Sequence, residues 1–463
     1  MKGLRNSPGV RLAPILGLVA GGIVGVTAIA LVGSAIAQRS PEASQAVLEA
    51  THLPPLLSLP GEQIDLAYDV HCASAGVDDP EQGCNVAGTL FLRTSGQEGF
   101  RTLPLQTGMS DGLRQLSAAV PGTLVSARNG FEYYAVLEAA DGRVLTVPSG
   151  GAEAPHRVHL LPDAVDVDLG VHTFGAPRQA SARVASARWG DGPTDVGLEH
   201  GRTLAPIGAS AFDVDEHGNV VVLDHAHRRL LRWQRGATVP ARVPLSIDGR
   251  LADMSVADDG SVYVLESVAL PGRRPLIRRF DMDGRELDVV EAADRTPSQI
   301  RIGPAGPVVL QQPSNQWMPV AVGGSPAGPA AQRRGARSGR PLRSGAEVIV
   351  MRRGNEIRIA VLVKDEVRRS WRISSQTALA EVQLAELLGQ RLVVVVRLYA
   401  DGSDEFAVLV LDRQGLVQQF SIASADWAET APVGRFRLVN RSLYRLGSNE
   451  TSAFVDRFDL EVR

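Results

Sequence analysis

Three side chains suited to acid–base or ligand chemistry recur at one offset in this chain. Asp224, Glu266 and Gln312 each stand six residues after a glycine, at Gly218, Gly260 and Gly306. If those glycines mark equivalent turns, the three polar groups occupy equivalent places near one rim. Convergent oxygens there could hold a polar ligand or a divalent cation. The matching places in the next two units read as Ala360 and Val395, so the rest of that rim is apolar. His225 and His227 follow Asp224 directly, and in an extended segment both point to one face. Two imidazoles there could ligate a metal or move a proton, although a hydrogen-bonded turn histidine is the simpler expectation.

Asp213, Asp215, His217, Gly218 and Asp224 have the spacing of a calcium loop. The fifth ligand place is a histidine and the twelfth an aspartate too short for bidentate reach, so no metal or other cofactor is expected, with calcium the alternative. Gln311, Ser314, Asn315, Gln316 and Trp317 form a polar, aromatic loop that could be a contact patch or an ordinary connection. No nucleophile elbow, zinc-protease helix motif or phosphate loop occurs. The expected binding residues are therefore Asp224, Glu266, Gln312, Asn315, Gln316 and Trp317, with no catalytic set.

The elements that must position these residues repeat. The glycines lie 42 and then 46 residues apart, and each opens an apolar run such as Val220, Val221, Val222 and Leu223. A turn glycine followed by a short strand at that interval is the mark of a propeller blade. Later apolar runs around residues 348–361, 392–411 and 436–462 bring the count to six blades over residues 166–463. Seven remains open if residues 165–174 add a strand set. Residues 323–345 hold Arg333, Arg334, Arg337, Arg340 and Arg343 among Gly, Ala, Pro and Ser. That composition predicts a disordered surface insertion.

Residues 213–230 resemble an NHL repeat: a hydrophobic-Asp turn, Gly218-Asn219, an apolar strand closed by Asp224, then His227-Arg228-Arg229-Leu230. His227 stands where that family usually has asparagine. The second unit keeps the turn and strand but ends in Glu266. The resemblance implies a six-bladed propeller, a plan shared with binding platforms and with lactonases that hold oxygen ligands around the axis.

Ahead of the repeats, Ile64, Leu66, Tyr68 and Val70 alternate with Asp65, Ala67 and Asp69, the period of a half-buried strand. Residues 133–138 and 143–147 flank Asp141-Gly142, a strong hairpin signal. About seven short strands over 62–165 predict a small antiparallel β-sandwich, and the Tyr133-Tyr134 hairpin resembles the closing hairpin of a fibronectin type III or immunoglobulin-like domain. Residues 38–61, bracketed by prolines, read as a linker. The whole reads as an all-β chain behind one N-terminal helix.

That helix is residues 15–37, which carry no charge and follow Lys2, Arg5 and Arg11. A helix of that length is roughly 34 Å long, enough to span a bilayer. It ends in Ala35-Ile36-Ala37, so 1–37 is read as a transmembrane anchor or a cleaved signal peptide. Either places the remainder outside the cytoplasm, membrane-anchored or secreted. In that oxidising setting Cys72 and Cys84, the only cysteines, are expected to form a disulfide. With 48 basic against 51 acidic side chains, nothing points to nucleic acid. The expected role is an exported cell-envelope binding or scaffolding protein whose partner is an envelope protein or polysaccharide. The alternative is a metal-dependent, lactonase-like hydrolase or lyase acting in the propeller channel.

Overall fold

The computed structural model describes residues 47–73, 85–110, 113–125, 130–200, 205–248, 251–266, 273–312, 314–322 and 325–461. The expected N-terminal helix and Cys84 lie outside the described residues. No helix among those described is long and apolar enough to cross a membrane.

Two sheets come first. One runs in the order Val47–Thr51, Ile64–Ala73, Leu113–Val120, Gln106–Ser110. The other runs Leu57–Ser58, His156–Leu160, Phe131–Ala139, Val86–Thr94, Arg101–Pro104, and Val144–Val147 pairs with Phe131–Ala139 through the Asp141-Gly142 turn. The period-2 pattern buries Leu66, Tyr68, Tyr133, Ala135 and Leu137 in one shared core. Each fully buried aliphatic or aromatic side chain contributes about 1.5–3 kcal/mol. Residues 47–58, read from sequence as linker, belong to this unit: Leu48 and Ala50 pack on its core, and His52 is buried. Their strands are short and proline-flanked, which hid the alternation.

Among the described residues six further sheets of three or more strands follow in chain order, with a two-stranded one, Ala321–Val322 with Ser325–Pro326, after the third. Their first strands are Ala211–Val214, Asp253–Val256, Pro297–Gly303, Arg340–Pro341, Ala378–Leu388 and Phe436–Val439. Neighbouring first strands touch from sheet one round to sheet six, sheet four joining sheet five through its second strand, and sheet six meets sheet one again. The six sheets form a closed β-propeller. Its outermost strand in blade six is Ala182–Arg188, antiparallel to Ser452–Asp459, so chain from before blade one locks onto the last blade. The residues that left a seventh blade open supply instead Val165–Asp168, a fifth strand lying parallel to Glu366–Ser374 on blade four.

The arginine-rich segment is the main departure from expectation, because residues 325–345 are ordered. Helix Pro329–Arg334 buries Gln332, whose amide donates to Glu291 and Ala327 carbonyls and accepts from Ala293 N–H. Arg337 bridges Trp317 where blade three has no fourth strand. Arg340–Pro341 is then the first strand of blade four, paired with Glu347–Arg353 across the 342–346 turn. Gly345 (φ +81°) is thus the fourth member of the glycine series, and Gly389 (φ +59°) is the fifth. From this turn Arg343 reaches the Val256 carbonyl and Asp258 of blade two. Blade four packs one face on blade five. Its other face, through Ile349, Ala360 and Leu362, seats Leu56, Leu57 and Leu161 of the two-sheet unit.

Candidate functional site

At the end of the ring where the first strands begin, here the upper face, the second strands deliver their terminal residues. Asp224 closes strand Val220–Asp224 and is 1% exposed. Its carboxylate accepts from Arg229 Nε at 2.9 Å, Gly197 N at 3.1 Å and His227 Nδ1 at 2.7 Å. Glu266 closes Val262–Glu266 and accepts from Arg278 Nε at 2.6 Å and Asp248 N at 2.7 Å. Both carboxylates therefore clamp an arginine of the third strand and a connecting-loop amide. They stand one strand out from the axis rather than converging on it.

The third-unit residues divide. Gln312 is half-buried and bonds through its backbone to Thr296. Asn315 occupies a left-handed turn at φ +55°. Gln316 and Trp317 are buried, and Trp317 exchanges both backbone hydrogen bonds with Arg337. Gln312, Asn315, Gln316 and Trp317, expected as a patch, thus belong to the folded connection between the second and third strands of blade three and to that third strand. The place in blade four equivalent to Asp224 is Met351, six residues after Gly345, and not Ala360.

The histidines beside Asp224 differ. His227 lies between Asp224 and the fully exposed Asp191, with Nε2 3.1 Å from the Asp191 carboxylate. His225 is 1% exposed, and neither ring nitrogen has a hydrogen-bond partner; Glu199 lies 3.5 Å from Nε2. Burial pushes the His225 imidazole below its ordinary value, opposed by the Glu199 and Asp224 charges. Among the described residues no set of three His, Cys, Asp or Glu is arranged to hold a metal ion.

The axis holds what sequence reading missed: one charged residue from every first strand. Asp213 accepts from Val256 N at 2.8 Å and Ser255 Oγ at 3.1 Å, both in blade two. Asp253 accepts from Ile300 N at 2.9 Å and Arg301 Nη1 at 2.6 Å in blade three. Arg340 of blade four meets Glu386 of blade five at 2.7 Å. Arg437 of blade six stands 3.4 Å from Asp213 and 3.8 Å from Asp253. Burial and the Arg301 charge bring Arg437 down to about 10, against the pull of Asp213, Asp253 and Glu386. Three carboxylates and three guanidiniums thus stand around the axis as a balanced set. The available signal was a charge within each first strand, lone in Ala211-Phe212-Asp213-Val214 but one of two in Ala378–Leu388, which also holds Glu381.

No family model matches the chain, and no curated protein matches it. Among solved structures it is similar to virginiamycin B lyase from Staphylococcus aureus, at 10% identity and a TM-score of 0.33 over 54% of this chain and 94% of that one. It is similar also to YCF48 bound to D1 peptide, at 11% identity and 0.32 over 63% and 99%. A third is a putative 6-phosphogluconolactonase from Bacteroides fragilis, at 10% and 0.31 over 83% and 97%. The propeller itself is read from the ring of sheets.

Proposed function

We propose that this is an exported, non-catalytic binding or scaffolding protein of the cell envelope. In this reading an NHL-like propeller is the platform, carried with an immunoglobulin- or fibronectin-like sandwich. The observation that carries the reading is the charged axis. Six charged side chains of opposite sign face one another where a propeller enzyme needs an open, ligand-accepting channel, with Arg437 held by charge alone through Nε and Nη2, which make no hydrogen bond. Asp224 and Glu266 are likewise committed to Arg229 and Arg278. The uncharged residues 15–37 support export, as an anchor or as a cleaved signal, and a Cys72–Cys84 bridge accords with that compartment. The partner is an envelope protein or polysaccharide, and balanced charge speaks against nucleic acid.

A second reading, a metal-dependent lactonase-like hydrolase or lyase, draws on His227. An imidazole held between two carboxylates and 23% exposed is placed as a general base would be. The test incubates the full chain with lactones, cyclic depsipeptides and glycans, with calcium, magnesium, manganese or zinc. Turnover that disappears in Asp224→Asn, Glu266→Gln or His227→Ala overturns the platform reading. Its absence, with the protein recovered outside the cytoplasm by fractionation, is the expected result.

A further inference from the structure

The upper face carries an aromatic feature that neither the axis nor the clamped carboxylates account for. Trp427 sits in the connection from blade five to blade six and is 39% exposed. Its neighbours are fixed. The Asp426 carboxylate accepts from Ser448 N at 2.9 Å, Arg445 at 2.9 Å and Arg435 at 3.1 Å. Ala428 is buried and exchanges hydrogen bonds with Ser448 Oγ. The indole is therefore presented on a rigid base, which lowers the ordering cost of a contact made through it.

Trp189 lies beside it, with ring centroids 6.2 Å apart and planes tilted by 36°. Trp189 Nε1 donates to the Asn449 carbonyl at 2.8 Å, and its ring rests on Gly208, where a Cβ would come within 2.7 Å. Among the described residues, the segments that carry the pair bear Asp191, Asp195, Glu199, Glu429 and Glu450, against Arg228, Arg188, which lies 3.9 Å from Asp195, and Arg435 and Arg445, which are taken up by Asp426. The isolated bridges Glu199–Ile207 and Ile207–Glu429 set the backbones of two of these acidic residues on either side of one residue. Below Glu199 lies the buried His225 ring with both nitrogens unpartnered.

We propose that the Trp189–Trp427 pair and its carboxylate rim bind a basic segment of a partner protein, with an arginine or lysine stacked on Trp427. A guanidinium over an indole face gains cation–π attraction, and the carboxylates add charge-assisted hydrogen bonds. The proposal rests on the platform reading and specifies its partner as a cationic peptide rather than a polysaccharide.

The test uses the full chain and a fluorescein-labelled nonapeptide of alternating arginine and glycine, read by anisotropy in 50 and 300 mM salt. The same peptide with glutamate for arginine, and chitotetraose as competitor, are the controls. The expected result is saturable binding of the basic peptide alone, weaker in high salt. Trp427→Ala should lower affinity about tenfold, Trp427→Phe much less, and Asp191→Asn with Glu199→Gln severalfold. Melting curves verify that each variant is folded, and the carboxylate pair decides the matter if Trp427→Ala is not. Equal affinity in these variants, no binding at 50 mM salt, or displacement by chitotetraose would each overturn the proposal. These outcomes leave the platform reading intact, since only turnover overturns that.

Discussion

Asp224 shows how a residue of catalytic type can be taken up by packing. It is buried, and so is Arg229, whose side chain is 5% exposed and also donates to the Gly192, Pro193 and Asp195 carbonyls. Asp224→Ala leaves that guanidinium without its counter-charge, a loss expected to cost about 3–5 kcal/mol. Chemical denaturation of the two proteins would measure it. Replacing the pair together, Asp224→Leu with Arg229→Met, should recover only part of the loss, because the orphaned charge is removed while the Gly197 amide and three carbonyls stay without their partners. A catalytic role would give the opposite profile, with activity lost and stability little changed. Asp224 stood out in sequence by its place in the repeat, and the repeat also explains why it is structural. A polar residue closing the second strand is what the loops of blades one and two need, whereas blade four has Met351 at that place.

At the scale of elements, the two-sheet unit is built to fail in acid. His52 is buried against Tyr68 and Tyr133, with Nε2 2.8 Å from the Tyr133 hydroxyl. Burial lowers His52 to about 4 and His159 to about 3, and drives His156 well below its ordinary value. Because the folded values lie below the unfolded 6.5, the unfolded chain binds more protons as pH falls through 6.5. The stability is therefore complete above that pH and is lost below it. By linkage His52 and His159 each cost roughly 2 kcal/mol at pH 5. Melting followed between pH 8 and pH 5 should show a fall that His52→Phe reduces.

The arginine-rich segment teaches a second lesson at this scale. Gln332→Ala should remove about 2–3 kcal/mol of local stability by stranding the Ala293 amide and two carbonyls. The readout is faster tryptic cleavage at Arg333 and Arg334. Blades one and two were legible because a glycine turn and four apolar residues recur intact. Blade four was not, because its first strand is two residues long and sits among arginines and glycines that read as disorder. What orders that segment is tertiary: Gln332 in a polar socket, and Arg340 and Arg343 paired with blades five and two. The axial charges were unreadable for the same reason, since each is one residue whose partners come from other blades.

The whole molecule depends on closure, and two segments ahead of blade one add outer strands with unequal consequences. Ala182–Arg188 joins the chain before blade one to blade six, and its Ala185 and Ala187 are buried in a cluster shared by blades six and one. Val165–Asp168 adds a fifth strand outside a blade that already has four, with Val167 buried against blade four. A buried carboxylate introduced into either strand costs several kcal/mol if the strand stays in place. The chain can limit that cost by releasing the strand. Releasing Val165–Asp168 exposes one blade edge and leaves the ring shut. Releasing Ala182–Arg188 strips blade six of its outer strand and takes Ala185 and Ala187 out of the cluster shared with blade one, leaving the seam to the Ile207–Glu429 bridge and the Arg437–Asp213 pair. Ala187→Asp should therefore lower the melting temperature of the whole β signal much further than Val167→Asp. The milder variant should instead gain proteolytic cuts near residues 165–180 while its main transition moves little. Equal losses in the two proteins would mean that the axial charge set, rather than the closing strand, holds the ring together.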